Sequence, residues 1–185
     1  MNTDVVVLAA GKGTRMRSDR AKVLHQLAGK SLLQHVLDTA QSINPREIAV
    51  VVGHQAEQVQ ASIAPGPKWV IQEEQRGTGH AVQLGLSPLS DDGVVLVLYG
   101  DVPLVTQDTL TRTVEAARKG SVALVTAHFA DAAQLGRIVR DENGSIRSIV
   151  EYKDASETQR DIKEINSGIL AAPTRLLGPW LAALQ

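Results

Sequence analysis

The sequence predicts an α/β fold: a mostly parallel mixed sheet with helices on both faces and an added β-hairpin. Three observations carry this. Short apolar runs rich in β-branched residues, Val5-Val6-Val7-Leu8, Ile48–Val52 and Val94–Tyr99, are the pattern of strands buried on both faces. Amphipathic stretches fall between them, giving the order β-α-β-α-β-α-β-α-β. From residue 136 the style changes to two short extended segments around Asn143-Gly144, the strongest short hairpin signal.

Val5–Leu8 opens the chain as a buried strand, and a glycine-bearing loop, Ala9–Thr14, follows it. Ser31–Ser42 places Leu32, Leu33, Val36, Leu37 and Ala40 at helical spacing, and Asn44-Pro45 stops that helix. Ile48–Val52 is the next strand, ending at Gly53. Residues 55–64 read as a weak helix broken by Pro65-Gly66-Pro67. Trp69–Gln72 is a strand and residues 79–86 a short helix. Val94–Tyr99 ends in Gly100-Asp101, residues 107–119 form a helix, and Val122–Phe129 another strand. Arg137–Arg140 and Ile146–Glu151 are the arms of the hairpin. The chain closes at Trp180–Gln185 inside an apolar helical pattern without a cap, which reads as an interruption rather than a natural stop. No internal repeat or linker divides it.

The length of 185 residues argues for one domain over 1–185. Apolar residues make up 43% and charged residues 21%, enough for a buried core. Lys plus Arg (19) nearly cancel Asp plus Glu (20), which argues against a nucleic-acid partner, since gripping that backbone runs on excess basic charge. With no cysteine there is no disulfide framework, thiolate zinc site, iron–sulfur cluster or cysteine nucleophile. The longest apolar runs, Val5–Ala10 and Val94–Tyr99, are six residues each. Roughly 20 are needed to span a bilayer, so no membrane is expected. A signal-peptide pattern is also missing, and a cytoplasmic protein is expected.

In an open α/β sheet, ligands bind beyond the carboxyl ends of the strands, so the loop after the first strand is the first candidate site. Its small residues admit backbone N–H groups to a phosphate, and Lys12 and Arg15 add positive charge. The dinucleotide pattern G-x-G-x-x-G fails at Met16, and the P-loop pattern fails at Val6 and Gly13. Hydride transfer and P-loop chemistry are thereby disfavoured. A glycine pair after a strand is otherwise an ordinary tight turn. Asp101, at the end of a buried strand, is placed to hold Mg²⁺ or to cap a turn. The Gln72 amide offers a donor and an acceptor to the imide edge of a base, or is exposed filler; Gly77 allows close approach and Thr78 adds a hydroxyl. Glu151 and Asn166 can hydrogen-bond sugar hydroxyls, or be a strand-end charge and a turn residue. His80 reads as a polar helix-start residue without a catalytic role.

The longer string Leu8-Ala9-Ala10-Gly11-Lys12-Gly13-Thr14-Arg15-Met16, followed by Lys22-Val23-Leu24, closely resembles the signature of the sugar-nucleotide pyrophosphorylases. Five more strings recur in that family's order over nearly the whole chain. They are Gln75-Arg76-Gly77-Thr78-Gly79-His80-Ala81, Leu98–Leu104, Gly136-Arg137-Ile138, Ile149–Ala155 and Glu164–Ile169. Within the family, the chain is similar to the uridyltransferase domains of bifunctional bacterial enzymes that also carry a glucosamine-1-phosphate acetyltransferase.

That resemblance implies a Rossmann-like nucleotide-diphospho-sugar transferase fold and the reaction of UTP with N-acetylglucosamine 1-phosphate, giving UDP-N-acetylglucosamine and pyrophosphate. It implies Mg²⁺ on Asp101, which follows Tyr99-Gly100, and phosphate clamps at Arg15 and Lys22. It also implies substrate contacts from Leu8, Ala9, Ala10, Gly11, Gly13, Lys22, Tyr99, Gly100 and Asp101, uracil contacts from Gln72, Gly77 and Thr78, and sugar contacts from Gly136, Glu151 and Asn166. Two positions depart from the family pattern: Ala21 stands for the usual proline before the lysine, and Leu135 for the usual aromatic before the glycine. In the family, the transferase domain runs a few dozen residues further and supplies an asparagine as second metal ligand. A left-handed β-helix for acetyl transfer and trimerisation then follows. Without these, acetyl transfer and trimerisation are not expected, and uridyl transfer is expected to be weak or absent compared with a longer version. A non-catalytic nucleotide-sugar-binding domain and a molybdenum-cofactor guanylyltransferase are the alternatives.

Overall fold

The computed structural model describes residues 2–11, 13, 16 and 18–183. They form two compact units, one of residues 1–123 with 170–185 and one of residues 124–169.

The first unit is built on β1 (Thr3–Ala9), β4 (Glu47–Val52), β5 (Lys68–Ile71) and β6 (Val94–Tyr99), parallel and ordered β5-β4-β1-β6. Two short strands, β2 (Gln26–Leu27) and β3 (Lys30–Ser31), make a separate small hairpin. The apolar runs lie in the centre because both faces are covered: Val5, Val6, Val7 and Val50 are fully buried. On one face, Val6, Val51, Val95 and Val97 pack with Ala81 and Val82 of helix α3 (Thr78–Leu86) and Leu177 of α6 (Thr174–Ala182). The alternate residues Val5, Val7, Leu96 and Leu98 point to the other face. There α4 (Gln107–Ala117) lies against β6 and α1 (Leu32–Gln41) against α4. Helix α1 starts where its sequence signals say: the Ser31 hydroxyl accepts from Gln34 N at 3.2 Å. It has ended by Asn44, which adopts the left-handed φ of 51°. The weak helix α2 (Ala56–Ala61) is shorter than the sequence pattern suggested.

At the amino ends of the strands, the fully buried Asp4 accepts from Arg46 Nε at 3.0 Å and Nη2 at 2.5 Å, and Arg46 also donates to Asp92 at 2.6 Å. The Ser90 hydroxyl and the Arg46 guanidinium hold the Asp92 carboxyl down at about 2. These charges fasten the end of the sheet away from the loop that follows β1.

The second unit holds β7 (Ala123–His128, from Leu124 on), the hairpin β8 (Arg137–Arg140) and β9 (Ile146–Val150), and α5 (Glu157–Arg160). Hairpin register is Arg137↔Val150 and Ile138↔Ile149, with a bulge at Val139/Arg140. Its turn is tied by Asp141, whose carboxylate accepts from Asn143 N and Ser145 N, and closed by Gly144 at φ 81°. Here the structure adds one strand to the expected order: β7 pairs with β10 (Glu164–Pro173), which the sequence pattern missed. β10 begins in this unit and ends in the first, where Leu170–Pro173 run antiparallel to β6.

Candidate functional site

Beyond the carboxyl ends of β1, β5 and β6 the first unit opens a cleft of about 580 Å³, within the usual range of ~300–1,000 Å³ for ligand pockets. Leu8, Ala9, Ala10, Gly11 and Gly13 form one wall, Tyr99 and Asp101 another, and Gln72, Gly77 and Thr78 a third, with Lys22 between the first two in sequence. The expected phosphate, metal and base residues of this unit therefore share one cavity. Gly100 is the exception. It is buried behind the wall, donating to Leu8 O at 2.9 Å, with the space for a Cβ filled by Leu33, Val23 and Ala9. Arg15 and Lys12 lie outside the described residues.

Two features shape the loop after β1. Gly13 has φ 58°, and a Cβ there would stand 2.8 Å from Lys22 Cβ, so only glycine lets the loop fold against the lysine. Gln75 donates to Ala10 O at 2.6 Å across 65 residues of sequence, and Gly53 makes room for that bond: its Cβ would meet Ala10 O at 3.1 Å. Sequence reasoning quoted Gln75 within a string but gave it no role. Nothing in the local pattern marks a polar side chain whose partner is so distant.

Lys22 begins a short 3-10 helix, Lys22–Leu24, and its ammonium pairs with the Asp101 carboxylate; both side chains remain partly exposed. The residue before it, Ala21, holds φ at −52°, an angle proline would also take. Its N–H, which proline would lack, donates to Gln58 Oε1 of α2 at 3.2 Å, and Gln55 donates to Asp19 O at 2.5 Å. The departure from proline at position 21 is thus accompanied by a side-chain tether, another pair of residues the sequence did not flag.

Gln72 is 4% exposed, and its backbone N donates to Val52 O at 2.7 Å, which fixes it at the end of β5. Gly77, at φ 100°, turns the chain into α3 and places Thr78 at the cleft. Helix α3 sits close to the sheet because Gly85 carries no side chain.

In the second unit Gly136, Glu151 and Asn166 come together. Asn166 N donates to Gly136 O at 2.9 Å, the Asn166 side-chain oxygen accepts from Gly168 N, and Glu151 Oε1 stands 3.2 Å from where a Gly136 Cβ would be. The neighbouring Arg137 is 2% exposed. Its guanidinium donates to the carbonyls of Ala132, Ala133, Leu135 and Arg160 and lies over the Tyr152 ring. On the same unit Arg140 grips Glu164 with two bonds of 2.8 and 2.7 Å, and this holds the Glu164 carboxyl at about 2.

No group of three His, Asp or Glu side chains among the described residues could hold a metal by itself. The cleft offers one carboxylate, Asp101. That donor set suits an ion such as Mg²⁺, which binds through one or two carboxylates plus substrate phosphates and waters, and not one that needs an all-protein cage. Among the described residues no helix is long and apolar enough to cross a membrane.

Residues 5–172 match the family model of the MobA-like NTP transferase domain. The chain is 52% identical to the bifunctional protein GlmU of Bordetella petrii, over 98% of this chain and 41% of that protein. It is likewise 52% identical to that of Neisseria gonorrhoeae, over 98% and 40%. It thus spans about two fifths of these relatives' length. Among solved structures it superposes on a UDP-glucose pyrophosphorylase complexed with UDP-glucose, with a TM-score of 0.79 and 15% identity, over 100% of this chain and 81% of that one. It also superposes on HddC from Yersinia pseudotuberculosis complexed with GMP-PN, with a TM-score of 0.72 and 19% identity, over 95% and 78%. At these identities the two structures attest the fold.

Proposed function

The chain belongs to the MobA-like NTP transferase domain family, and on that premise we propose that it is the uridyl-transferring part of an enzyme that joins UTP to N-acetylglucosamine 1-phosphate. The products are UDP-N-acetylglucosamine and pyrophosphate. The observation that carries the proposal is the meeting of Gly13, Lys22, Gln72 and Asp101 in one cleft at the carboxyl ends of the strands. The high identity to proteins named GlmU supports it.

In this reading, an oxygen of the sugar phosphate attacks the α-phosphorus of UTP in line. The bond from that phosphorus to the bridging oxygen breaks, and pyrophosphate leaves with the electron pair. A phosphate monoester, with a second pKa near ~6, is already largely a dianion at pH 7. The reaction therefore needs alignment and charge neutralisation more than a general base. The backbone of Ala10, Gly11 and Gly13 receives the phosphates, and the Lys22 ammonium offsets their charge. Asp101 is the residue that would hold Mg²⁺; bound there, the ion supplies further charge neutralisation on phosphate oxygens. Gln72, Gly77 and Thr78 receive the uracil. Gly136, Glu151 and Asn166 of the second unit are assigned to the acceptor sugar, by resemblance. We place the enzyme in the cytoplasm, where UTP and the sugar phosphate meet.

Pyrophosphate release is the test. With Mg²⁺ and N-acetylglucosamine 1-phosphate, residues 1–185 are expected to release pyrophosphate slowly, and from UTP in preference to GTP or CTP. A preference for GTP would point to the guanylyltransferase alternative. No release together with no calorimetric binding of UDP-N-acetylglucosamine would overturn the proposal.

A further inference from the structure

We propose that His80 is a positioning residue that sets the base selectivity of the cleft, by fixing the Gln72 amide with its oxygen, and not its NH₂, presented to the ligand. The inference rests on the nucleotide reading above and deepens it. A side-chain amide is pseudo-symmetric: turned one way it offers an acceptor, turned the other a donor pair, at nearly the same position. A bare glutamine at the end of β5 would therefore tolerate either a base that donates or one that accepts. The surroundings of Gln72 remove that freedom.

The two N–H bonds of Gln72 Nε2 are both used inside the protein. One partner is Gly77 O at 3.3 Å and the other His80 Nδ1 at 3.2 Å. Gly77 O is shared, since it also accepts from Ala81 N at 3.2 Å as the first turn of α3 closes. His80 Nδ1 is the second acceptor when the ring proton sits on Nε2, the tautomer that the proposal assigns to it. Turning the amide over would bring its oxygen against the Gly77 carbonyl oxygen, and would keep a bond to His80 only if the ring proton moved to Nδ1. With the proton on Nε2, two hydrogen bonds would become two repulsions in a residue 4% exposed. Oε1 has no partner among the described residues, and Gln72 lines the cleft.

An acceptor held there matches a ring N–H flanked by carbonyls, which is the imide edge of uracil. Cytosine offers a lone pair at the same ring nitrogen and is repelled. A site built around one obligatory hydrogen bond rejects a near-isostere more strongly than shape alone does. His80, which touches no base, would act on this choice through Gln72.

Calorimetric titration of the chain with UTP and with CTP reads the selectivity directly. The unmodified chain is expected to bind UTP more tightly than CTP, and His80→Leu, which removes the acceptor, to lower the UTP/CTP affinity ratio about tenfold or more. His80→Asn places an amide oxygen where Nδ1 stood and is expected to return the ratio to within about threefold of the original. Gln72→Leu should lower the ratio as His80→Leu does, and the double variant should add nothing, because both act through one group. Affinity for inorganic pyrophosphate, which has no base, should stay constant throughout. If His80→Leu fails to melt cooperatively, His80→Ala replaces it.

An unchanged ratio in His80→Leu, a ratio in His80→Asn as relaxed as in His80→Leu, or additive effects in the double variant would overturn the role of His80 while leaving the nucleotide site standing. Failure of the unmodified chain to bind UTP at all would overturn both readings together.

Discussion

Adding a single methyl group to helix α3, as Gly85→Ala, pits helix propensity against packing at the place where the cleft's third wall rests on the sheet. In an exposed helix the substitution would gain about 1 kcal/mol. Here the new Cβ would lie 2.5 Å from Val6 Cγ1 and 3.0 Å from Val51 Cγ2. Carbon atoms rest about 3.5–4.0 Å apart, so roughly 1 Å must be found. Val6 and Val51 are fully buried on adjacent strands and cannot retreat, which leaves the helix to lift. Overpacking of this kind costs about 1–3 kcal/mol, and the distances put Gly85 near the upper end. The net loss is about 1–2 kcal/mol, which in a chain of this size lowers Tm by about 2–8 °C. Because α3 carries Gly77 and Thr78 at its start, the same lift should weaken UTP binding about tenfold. Thermal unfolding followed by circular dichroism, with calorimetric titration, reads both numbers. A Tm equal to or above that of the unmodified chain would mean the sheet yields, and the close-approach reasoning would fail.

Gln58→Ala strands the Ala21 N–H and should lower UTP affinity by loosening Lys22; adding Ala21→Pro removes the stranded donor at a compatible φ and should restore most of it, measured by the same titration. Asp101→Ala should cut pyrophosphate release about 10²-fold or more while changing Tm by little, because its ion pair with Lys22 is partly exposed. Glu164 has a carboxyl held at about 2 instead of 4.5, so its contribution to stability is complete above the higher value and is lost as pH falls toward the lower. Glu164→Gln should therefore flatten the pH dependence of unfolding on that acid limb by about 2 kcal/mol, the roughly 3 kcal/mol of the full shift being reduced by solvent screening at the 40% exposed Arg140, read from urea melts at stepped pH.

The parts of the fold that sequence reveals best are those decided by burial. β1, β4 and β6 could be read because two covered faces demand continuous apolar residues, and α1 because Ser31 and Asn44 mark its limits. β10 escaped because its first half, Glu164-Ile165-Asn166-Ser167-Gly168, has turn composition; it is extended because β6, β7 and β8 offer it partners. The same contrast divides the site. Gly13, Lys22, Gln72 and Asp101 stood out by type and by the strings around them. Gln75, Gln58 and His80 did not, since each acts through one hydrogen bond whose other end is set by the fold. At position 21 the residue type alone shows the missing proline but not the bond from its N–H to Gln58.

The guanidinium of Arg137, swallowed by the peptide oxygens of the bend before it, has a consequence for how that bend can vary. Those oxygens solvate the ion as water would, so residues 132–136 take their course from a charge at their centre and not from what their side chains touch. Leu135, 43% exposed, is a bystander to this arrangement, which explains how an aromatic can be exchanged there without disturbing the glycine beside it. The spot that tolerates no exchange is two residues on: a lysine, with one nitrogen in place of three, could not reach the same ring of carbonyls.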